Sequence, residues 1–359
     1  MCSWTPHLVV LLPNLVVTGK LSSATHTAGI SLAAMSLRVL SSPLRRCLLT
    51  NKVLPCEMMV RFELARPPST STSSNSRLVL QPSRVLHPRF EDRLSRQGST
   101  GKAMWVTCWA EAVAVLAQKG SYKRLNSSAV MLPPRAVTAH VHSLLARRVA
   151  HEAELVAERV KAWPAASIPD VRRAPVLRVR VDELESTARE LDAAGRRLVG
   201  VLDLSPLPST GEVADPAPRG PFSSNVPLAS AASSARRYHL PTFLTGLVLP
   251  PSSLSPPSPT ADPPDPSAHL LALTRHPLDS LVDFLSRRLA RLDSTSSPSP
   301  PPPSEGDLFV LSAPKACDDA AAQRQAEDLV PLVLALERCR MWSGEAWAGE
   351  RGEEEENAS

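Results

Sequence analysis

Residues 174–204 read APVLRVRVDELESTARELDAAGRRLVGVLDL, and this stretch indicates the fold class. Residues 176–181 are rich in valine, as strands are. A helix is predicted to begin after Asp182, which is placed as an N-cap, and to end at Gly195, which is placed to adopt left-handed backbone. The apolar run at 197–204 predicts a second strand of the buried kind found in parallel sheets. Together these elements predict a strand–helix–strand unit with a right-handed crossover.

The same alternation continues towards the carboxyl terminus. Further strands are predicted at 242–249 and 307–312, and further helices at 278–292 and 318–342. Alternating strands and helices favour an α/β architecture. We therefore expect an α/β domain over residues 171–349, built on a small, mostly parallel sheet of about four strands with flanking helices.

Proline is concentrated in this domain. Of the 36 prolines in the chain, 21 lie between residues 206 and 303. The Pro/Ser-rich stretches at 205–234, 250–267 and 294–305 contain too few apolar side chains to offset the entropy of ordering them. They are interpreted as loop insertions between elements, and the glutamate-rich residues 350–359 as an acidic tail.

A long basic amphipathic helix is predicted at 135–162, within the segment 133–170 that precedes the α/β domain. Val137, Val141 and Leu145 begin an apolar series at helical spacing, and Pro133 and Pro134 stand where a helix can start. Upstream, residues 57–132 show a weak pattern. We expect them to be a largely disordered basic region with one short helix at about 104–117.

The amino-terminal residues 1–56 contain five basic side chains and no acidic one. This composition is typical of a mitochondrial transit peptide, and its amphipathic part begins at Met35. The true start is therefore either Met1 or Met35. A disordered basic tail is the competing interpretation, whereas a secretory signal fits less well because no basic residue precedes the apolar run. No segment is apolar over the length that a transmembrane span needs.

Charge is divided unevenly along the chain, although the formal net charge is only +5. Residues 1–200 carry 28 Lys/Arg against 14 Asp/Glu, and residues 201–359 carry 12 against 21. A basic half can attract RNA, a ribosome or an anionic membrane face, and an acidic half suits a protein partner. The candidate RNA-contacting side chains are Arg147, Arg148, Arg159, Lys161, Arg172 and Arg173. A solvated helix face is the simpler interpretation of the same residues, because acidic side chains interleave with them.

Motifs that carry chemistry are mostly absent. The segment 98–102 (GSTGK) lacks the first glycine and the final Ser/Thr of a phosphate-binding loop. The six cysteines show no Cys-x-x-Cys spacing, and the histidines of the basic helix do not form a ligand set, so we predict no metal and no cofactor. In open α/β sheets ligands bind beyond the carboxyl ends of the strands, where Asp203 and Lys315 are predicted to lie. These two are the weak catalytic candidates, although Asp203 could simply cap the loop after its strand.

Two hypotheses follow for function. The first is a soluble, non-enzymatic factor of the mitochondrial matrix that supports organellar gene expression, bound to ribosome or RNA, or supports respiratory-complex assembly. It rests on the transit-like end, the charge asymmetry and the missing catalytic motifs. The alternative is an α/β enzyme of unknown reaction, with its site near Asp203 and Lys315.

Overall fold

A computed structural model of the chain describes residues 41–66, 77–90, 99–164, 174–205, 223–225, 235–245, 266–292, 307–315 and 320–347. Residues 1–40, most of the three predicted Pro/Ser-rich insertions and the tail at 350–359 lie outside the described residues. The described part is a mixed α/β structure with two main sheets and six α-helices.

The strands fall into an amino-terminal and a carboxy-terminal group. The first group is β1 (Leu44–Arg46), β2 (Val53–Pro55), β3 (Met59–Ala65), β4 (Val79–Ser83), β5 (Ser99–Thr107) and β6 (Val130–Met131). The second group is β7 (Val176–Val179), β8 (Arg196–Asp203), β9 (Ser223–Asn225), β10 (Arg236–His239) and β11 (Leu308–Pro314). The helices are α1 (Ala110–Lys119), α2 (Pro134–Lys161), α3 (Leu184–Ala193), α4 (Leu240–Thr245), α5 (Pro266–Leu292) and α6 (Ala320–Trp342).

The amino-terminal sheet has the strand order β5-β3-β4-β6, with only the β4–β6 pair parallel. Residues 57–132 were expected to be largely disordered, so this sheet is a correction. In β3, Val60, Phe62 and Leu64 are fully buried in the core and alternate with polar residues, the pattern of a half-buried strand. Helix α1 begins six residues later than the expected helix because 104–107 belongs to β5.

A short antiparallel hairpin, β1–β2, lies within the segment predicted to be transit-like. It joins the amino-terminal sheet, since the backbone N–H of Leu48 donates to the carbonyl of Trp105 in β5 at 2.9 Å. Cys47 is fully buried there, and its Sγ accepts a hydrogen bond from the Thr107 hydroxyl at 3.2 Å. Residues 44–55 are therefore part of the folded structure.

The carboxy-terminal sheet has the order β7-β11-β8-β10-β9. Strand β11 lies between β7 and β8 and is antiparallel to both, and only β8 and β10 are parallel neighbours. The expectation of a mostly parallel four-stranded sheet is not confirmed. The predicted unit β7–α3–β8 is present, but the last strand of the chain is inserted between its two strands.

Helices cover both faces of the carboxy-terminal sheet. Along β11, Phe309 and Leu311 point into the main core, whereas Leu308 and Val310 join a smaller apolar cluster under α3. In the main core α2 packs against α1, α5 and α6 and also against β4. These neighbours explain why α2 is buried on several sides. Within the described parts of the chain, no helix combines the length and the apolar character needed to cross a membrane.

Most helices agree with the sequence pattern, and the local differences include the bounds of α2, the start of α5 and the N-cap of α3. Helix α2 was expected at 135–162 and is found one residue earlier, whereas α5 begins twelve residues before its expected start and contains Pro277. The extra turns are held by packing, since Leu270 and Thr274 are buried and the Thr274 hydroxyl donates to the Leu270 carbonyl at 3.0 Å. The N-cap of α3 is Glu183 without a side-chain hydrogen bond, so the predicted capping role of Asp182 is wrong.

The prediction of a strand at 242–249 is wrong for residues 242–245, which are the part of that range that the structure describes. Residues 240–245 form α4, and the strand lies earlier, as β10. Pro241 suits the first turn of a helix, and the ring Nδ1 of His239 accepts the backbone N–H of Thr242 at 3.2 Å. Strand β10 has no long apolar run, so its identity depends on pairing with β8.

Candidate anion-binding site

A cleft of about 760 Å³ opens beside the amino-terminal sheet. Its described lining consists of Glu57, β3, β4, the segment that follows β4, Gly101 of β5, one stripe of α2 and Arg338 of α6. Five arginines, from four of these stretches, line it: Arg61, Arg84, Arg147, Arg148 and Arg338. We call this feature the arginine cleft.

Local structure explains why the polar side chains face the arginine cleft. In β3, Arg61 and Glu63 occupy the face opposite the buried Val60 and Phe62. In α2, the lining residues recur with the spacing of one helix stripe. They are His140, Leu144, Arg147 and Arg148.

Arg61 is held in place within the sheet. Its Nη1 donates to Glu63 Oε2 at 2.7 Å and to the hydroxyl of Ser83, on the paired strand β4, at 3.1 Å. On α2, Arg148 Nη2 lies 2.7 Å from Oε1 of the fully buried Glu152. Both guanidinium groups are therefore fixed in orientation before any ligand arrives.

Arg338 is the most buried of the five arginines, with 7% of its side chain exposed. Its Nη2 donates to the carbonyl of Met59 at 3.1 Å, and its Nη1 lies 3.6 Å from Glu57 Oε2. Its Nε is buried and has no hydrogen-bond partner within the described residues. A buried N–H without an acceptor costs about 1–3 kcal/mol.

Among the described residues that line the arginine cleft, five are arginines and two, Glu57 and Glu63, are acidic. Glu152, the partner of Arg148, is fully buried and does not line the cleft. Burial lowers the pKa of His140, and the nearby Arg147 lowers it further. Burial, together with Arg147 and Arg148, lowers the pKa of His151 to about 4. Both imidazoles are thus neutral at pH 7 and leave the positive charge to the arginines.

An aromatic side chain stands at the same place. Phe90 lines the arginine cleft, and its ring stacks on His151 with the ring centroids 4.0 Å apart. Arginine forks match the oxygens of phosphate and carboxylate groups in geometry and charge. The arrangement is therefore suited to binding an anion.

Two of the residues predicted to contact RNA, Arg147 and Arg148, lie in the arginine cleft. Two others do not: Arg159 Nη1 donates to the carbonyl of Asp328 at 3.3 Å, and Lys161 donates to the hydroxyl of Ser280 at 2.8 Å. These contacts join α2 to α6 and α5. Arg172 and Arg173 lie outside the described residues.

Sequence reasoning missed Arg61, Arg84 and Arg338. The alternation along β3 was a usable signal for Arg61, because apolar residues flank it on both sides. Arg338 had no such signal, since it stands in the acidic half of the chain and reaches the site only through the packing of α6.

The structure does not bring the two catalytic candidates together. Asp203 is at the carboxyl end of β8, where it is paired with Leu308 at the start of β11. Lys315 follows Pro314, which pairs with Arg196 at the opposite end of β8. The antiparallel direction of β11 causes this separation, which is the length of the strand.

Each of the two candidate side chains has nearby partners that account for its position. Lys315 Nζ lies 2.5 Å from Asp192 Oδ1 on the surface. Asp203 is fully buried, and its Oδ1 accepts the backbone N–H of Ser205 at 2.9 Å, so it caps the loop after its strand. Its other oxygen accepts from Arg237 Nε at 2.8 Å, and His239 Nε2 lies 4.0 Å from that oxygen.

Within the residues that the structure describes, no group of three His, Cys, Asp or Glu side chains is arranged to hold a metal ion. No protein-family model, curated protein or solved structure matches this chain.

Proposed function

We propose that this protein is a non-enzymatic factor of the mitochondrial matrix that supports organellar gene expression by binding RNA phosphate in the arginine cleft. The observation that carries the proposal is the convergence of five arginines, from separate stretches of chain, on one cleft. Arginine and phosphate form charge-assisted, bidentate hydrogen bonds, which are among the strongest polar contacts in proteins. Phe90 adds an aromatic surface of the kind that contacts bases in single-stranded RNA.

The mitochondrial location in the proposal is inferred from the acid-free amino terminus, whose composition is typical of a transit peptide. The hairpin limits where a transit segment could be removed. Cleavage at residue 56 would take away β1, β2 and the buried Cys47, which contacts Thr107. The proposal therefore places cleavage before Leu44, which leaves the hairpin intact.

The test is RNA binding by the purified full chain at several salt concentrations. In the double variant Arg84→Gln/Arg147→Gln, both changes are at exposed positions at the mouth of the arginine cleft. We expect affinity for a single-stranded RNA to fall about tenfold or more. The slope of the logarithm of the binding constant against the logarithm of the salt concentration should become shallower by about 1.4, which is about 0.7 for each arginine removed.

The matched control is Arg180→Gln/Arg189→Gln, which removes the same charge from two exposed arginines beyond the cleft. We expect less than a twofold change for the control. Equal losses in the two double variants would show that only net charge matters and would contradict the proposed site.

Localisation of a carboxy-terminally tagged full chain tests the address separately. Fractionation should find the protein in the matrix, with co-sedimenting mitochondrial RNA that is released at high salt. A tagged chain found outside mitochondria would contradict the matrix assignment. Salt-resistant co-purification with respiratory-complex subunits, without RNA, would instead favour a role in complex assembly.

A further inference from the structure

The arginine cleft is graded in depth, and the gradient indicates which kind of phosphate it takes. Arg84 and Arg147 are exposed at the mouth. Further in, 18% of the Arg148 side chain and 13% of the Arg61 side chain are exposed. Arg338, with 7% of its side chain exposed, is the most buried of the five and lies at the base of the cleft. A ligand that uses all five arginines must place charge both at the surface and in the buried interior.

The base still has hydrogen-bonding capacity to offer. Arg338 Nε has no partner among the described residues, and the 3.6 Å separation of Nη1 from Glu57 is longer than a hydrogen bond. The carbonyl of Met59 satisfies only Nη2. An incoming group with several oxygens would give the Arg338 guanidinium, which lines the cleft, acceptors beyond the Met59 carbonyl.

Two phosphate groups of RNA differ in their ability to reach this base. An internal phosphodiester has one negative charge, two free oxygens and chain on both sides. A terminal phosphate monoester carries a charge of about −1.5 to −2 at pH 7 and has three free oxygens. Because chain leaves it on one side only, it can enter a cleft that closes at Arg338.

We infer that the arginine cleft binds a terminal phosphate monoester of RNA, with Arg338 at its base and the nucleotide chain leaving past Arg84 and Arg147. The inference rests on the proposed function. The chain outside the cleft supplies the salt-dependent contacts at the mouth.

The experiment compares three RNAs of one sequence, with a 5′-phosphate, with a 3′-phosphate, or with hydroxyls at both ends. They compete with a labelled RNA for the full-length protein. We expect one phosphorylated form to bind about tenfold or more tightly than the dihydroxyl form, as the gain of a charge-assisted contact implies. Equal binding of all three RNAs would overturn the terminal-phosphate inference and leave the proposed function standing.

Two other outcomes separate the inference from the proposed function. If none of the RNAs binds, both fail. If a free nucleoside monophosphate competes as well as the phosphorylated RNA, and the nucleoside does not, recognition of the monoester is supported. The rest of the RNA chain then adds no affinity, which contradicts the proposed function.

The variant Arg338→Lys tests the base while keeping its charge. Lysine lacks the Nε donor and the planar fork, so it should abolish most of the preference for the phosphorylated end. Binding of the dihydroxyl RNA should change less than twofold, which a general loss of folding would not produce. A preference that survives in Arg338→Lys contradicts the role assigned to Arg338. The comparison of RNA ends in the unmodified protein remains decisive if this variant does not fold.

Discussion

The guanidinium of Arg237 donates from Nε to the buried carboxylate of Asp203 at 2.8 Å, across the parallel strands β10 and β8. The same carboxylate receives the backbone N–H of Ser205. Asp203 therefore has partners for both of its oxygens, and it ties the parallel pair to the loop that follows β8. This makes it a structural residue, and its removal should be visible in stability.

The variant Asp203→Asn tests this role. Loss of the charge leaves Arg237, whose side chain is 31% exposed, opposite a neutral amide, and a hydrogen bond to a charged group is worth about 1.5–3 kcal/mol. We expect denaturant unfolding to show a loss of about that size. Asp192→Asn is the matched control, because Asp192 pairs with Lys315 on the surface and should lose less than about 1 kcal/mol. Similar small losses in both variants would contradict a structural role for Asp203.

Acid should destabilise the protein through His142. Its Nε2 donates to the carbonyl of Phe243 at 2.7 Å, its ring stacks on that of Phe243, and burial lowers its pKa to about 4. The unfolded chain, with a pKa near 6.5, binds the proton first. This contribution is therefore fully present above pH 6.5 and is lost as the pH falls towards 4, by at most about 1.4 kcal/mol per pH unit.

The variant His142→Gln checks the assignment, because an amide can still donate to the Phe243 carbonyl but does not titrate. Its free energy of unfolding should fall less steeply between pH 6.5 and 4 than that of the unmodified protein. Identical slopes in the two proteins would show that His142 does not contribute to the acid sensitivity.

An anion in the arginine cleft should raise the pKa of His151. This ring stacks on Phe90, and Arg147 and Arg148 help to hold its pKa at about 4. A bound dianion offsets the arginine charge, so the imidazolium form becomes less unfavourable. In NMR titrations with sulfate, which stays dianionic over this range, we expect an upward shift of about half a unit or more for His151.

His142 is the internal control for that titration, since the arginine cleft does not include it. Its pKa should stay constant when sulfate is added. Parallel shifts of both histidines would indicate a general salt effect instead of binding in the cleft.

The turn between α3 and β8 should require glycine at position 195. Gly195 has φ of 71°, in the left-handed region, and this confirms the helix stop that the sequence predicts. Gly195→Ala should lower the free energy of unfolding by about 1–2 kcal/mol, because a Cβ is disfavoured in that conformation. Gly195→Asn should lower it less, because asparagine tolerates left-handed backbone. Thermal unfolding of the two variants gives the comparison, and an alanine variant as stable as wild type would contradict the strain argument.

Local periodicity was enough to predict several elements. Helix α2 repeats its apolar residues over many turns, and its observed bounds, Pro134–Lys161, differ by one residue from those expected. Strand β8 is apolar along most of its length, and it too begins within one residue of its expected start. These elements are readable because their side chains alternate between core and surroundings within the segment itself.

Other elements had no adequate local signal. Strand β10, which reads RRYH, is a strand because its backbone pairs with β8 on one side and β9 on the other. Strand β3 alternates over only seven residues and is completed by β4 and β5. Backbone pairing between distant segments satisfies hydrogen bonds that neither segment can satisfy alone, and one segment's composition does not identify its partner.

The sequence by itself determined the α/β class, the long helix α2, the left-handed stop at Gly195 and the uneven distribution of charge. Only the tertiary structure decided that β11 runs antiparallel between β7 and β8, which separates Lys315 from Asp203. It also decided that arginines numbered from 61 to 338 meet at one cleft. The physical reason is that helix and strand periodicity are properties of neighbouring residues, whereas strand order and convergent charge depend on how distant apolar faces pack together.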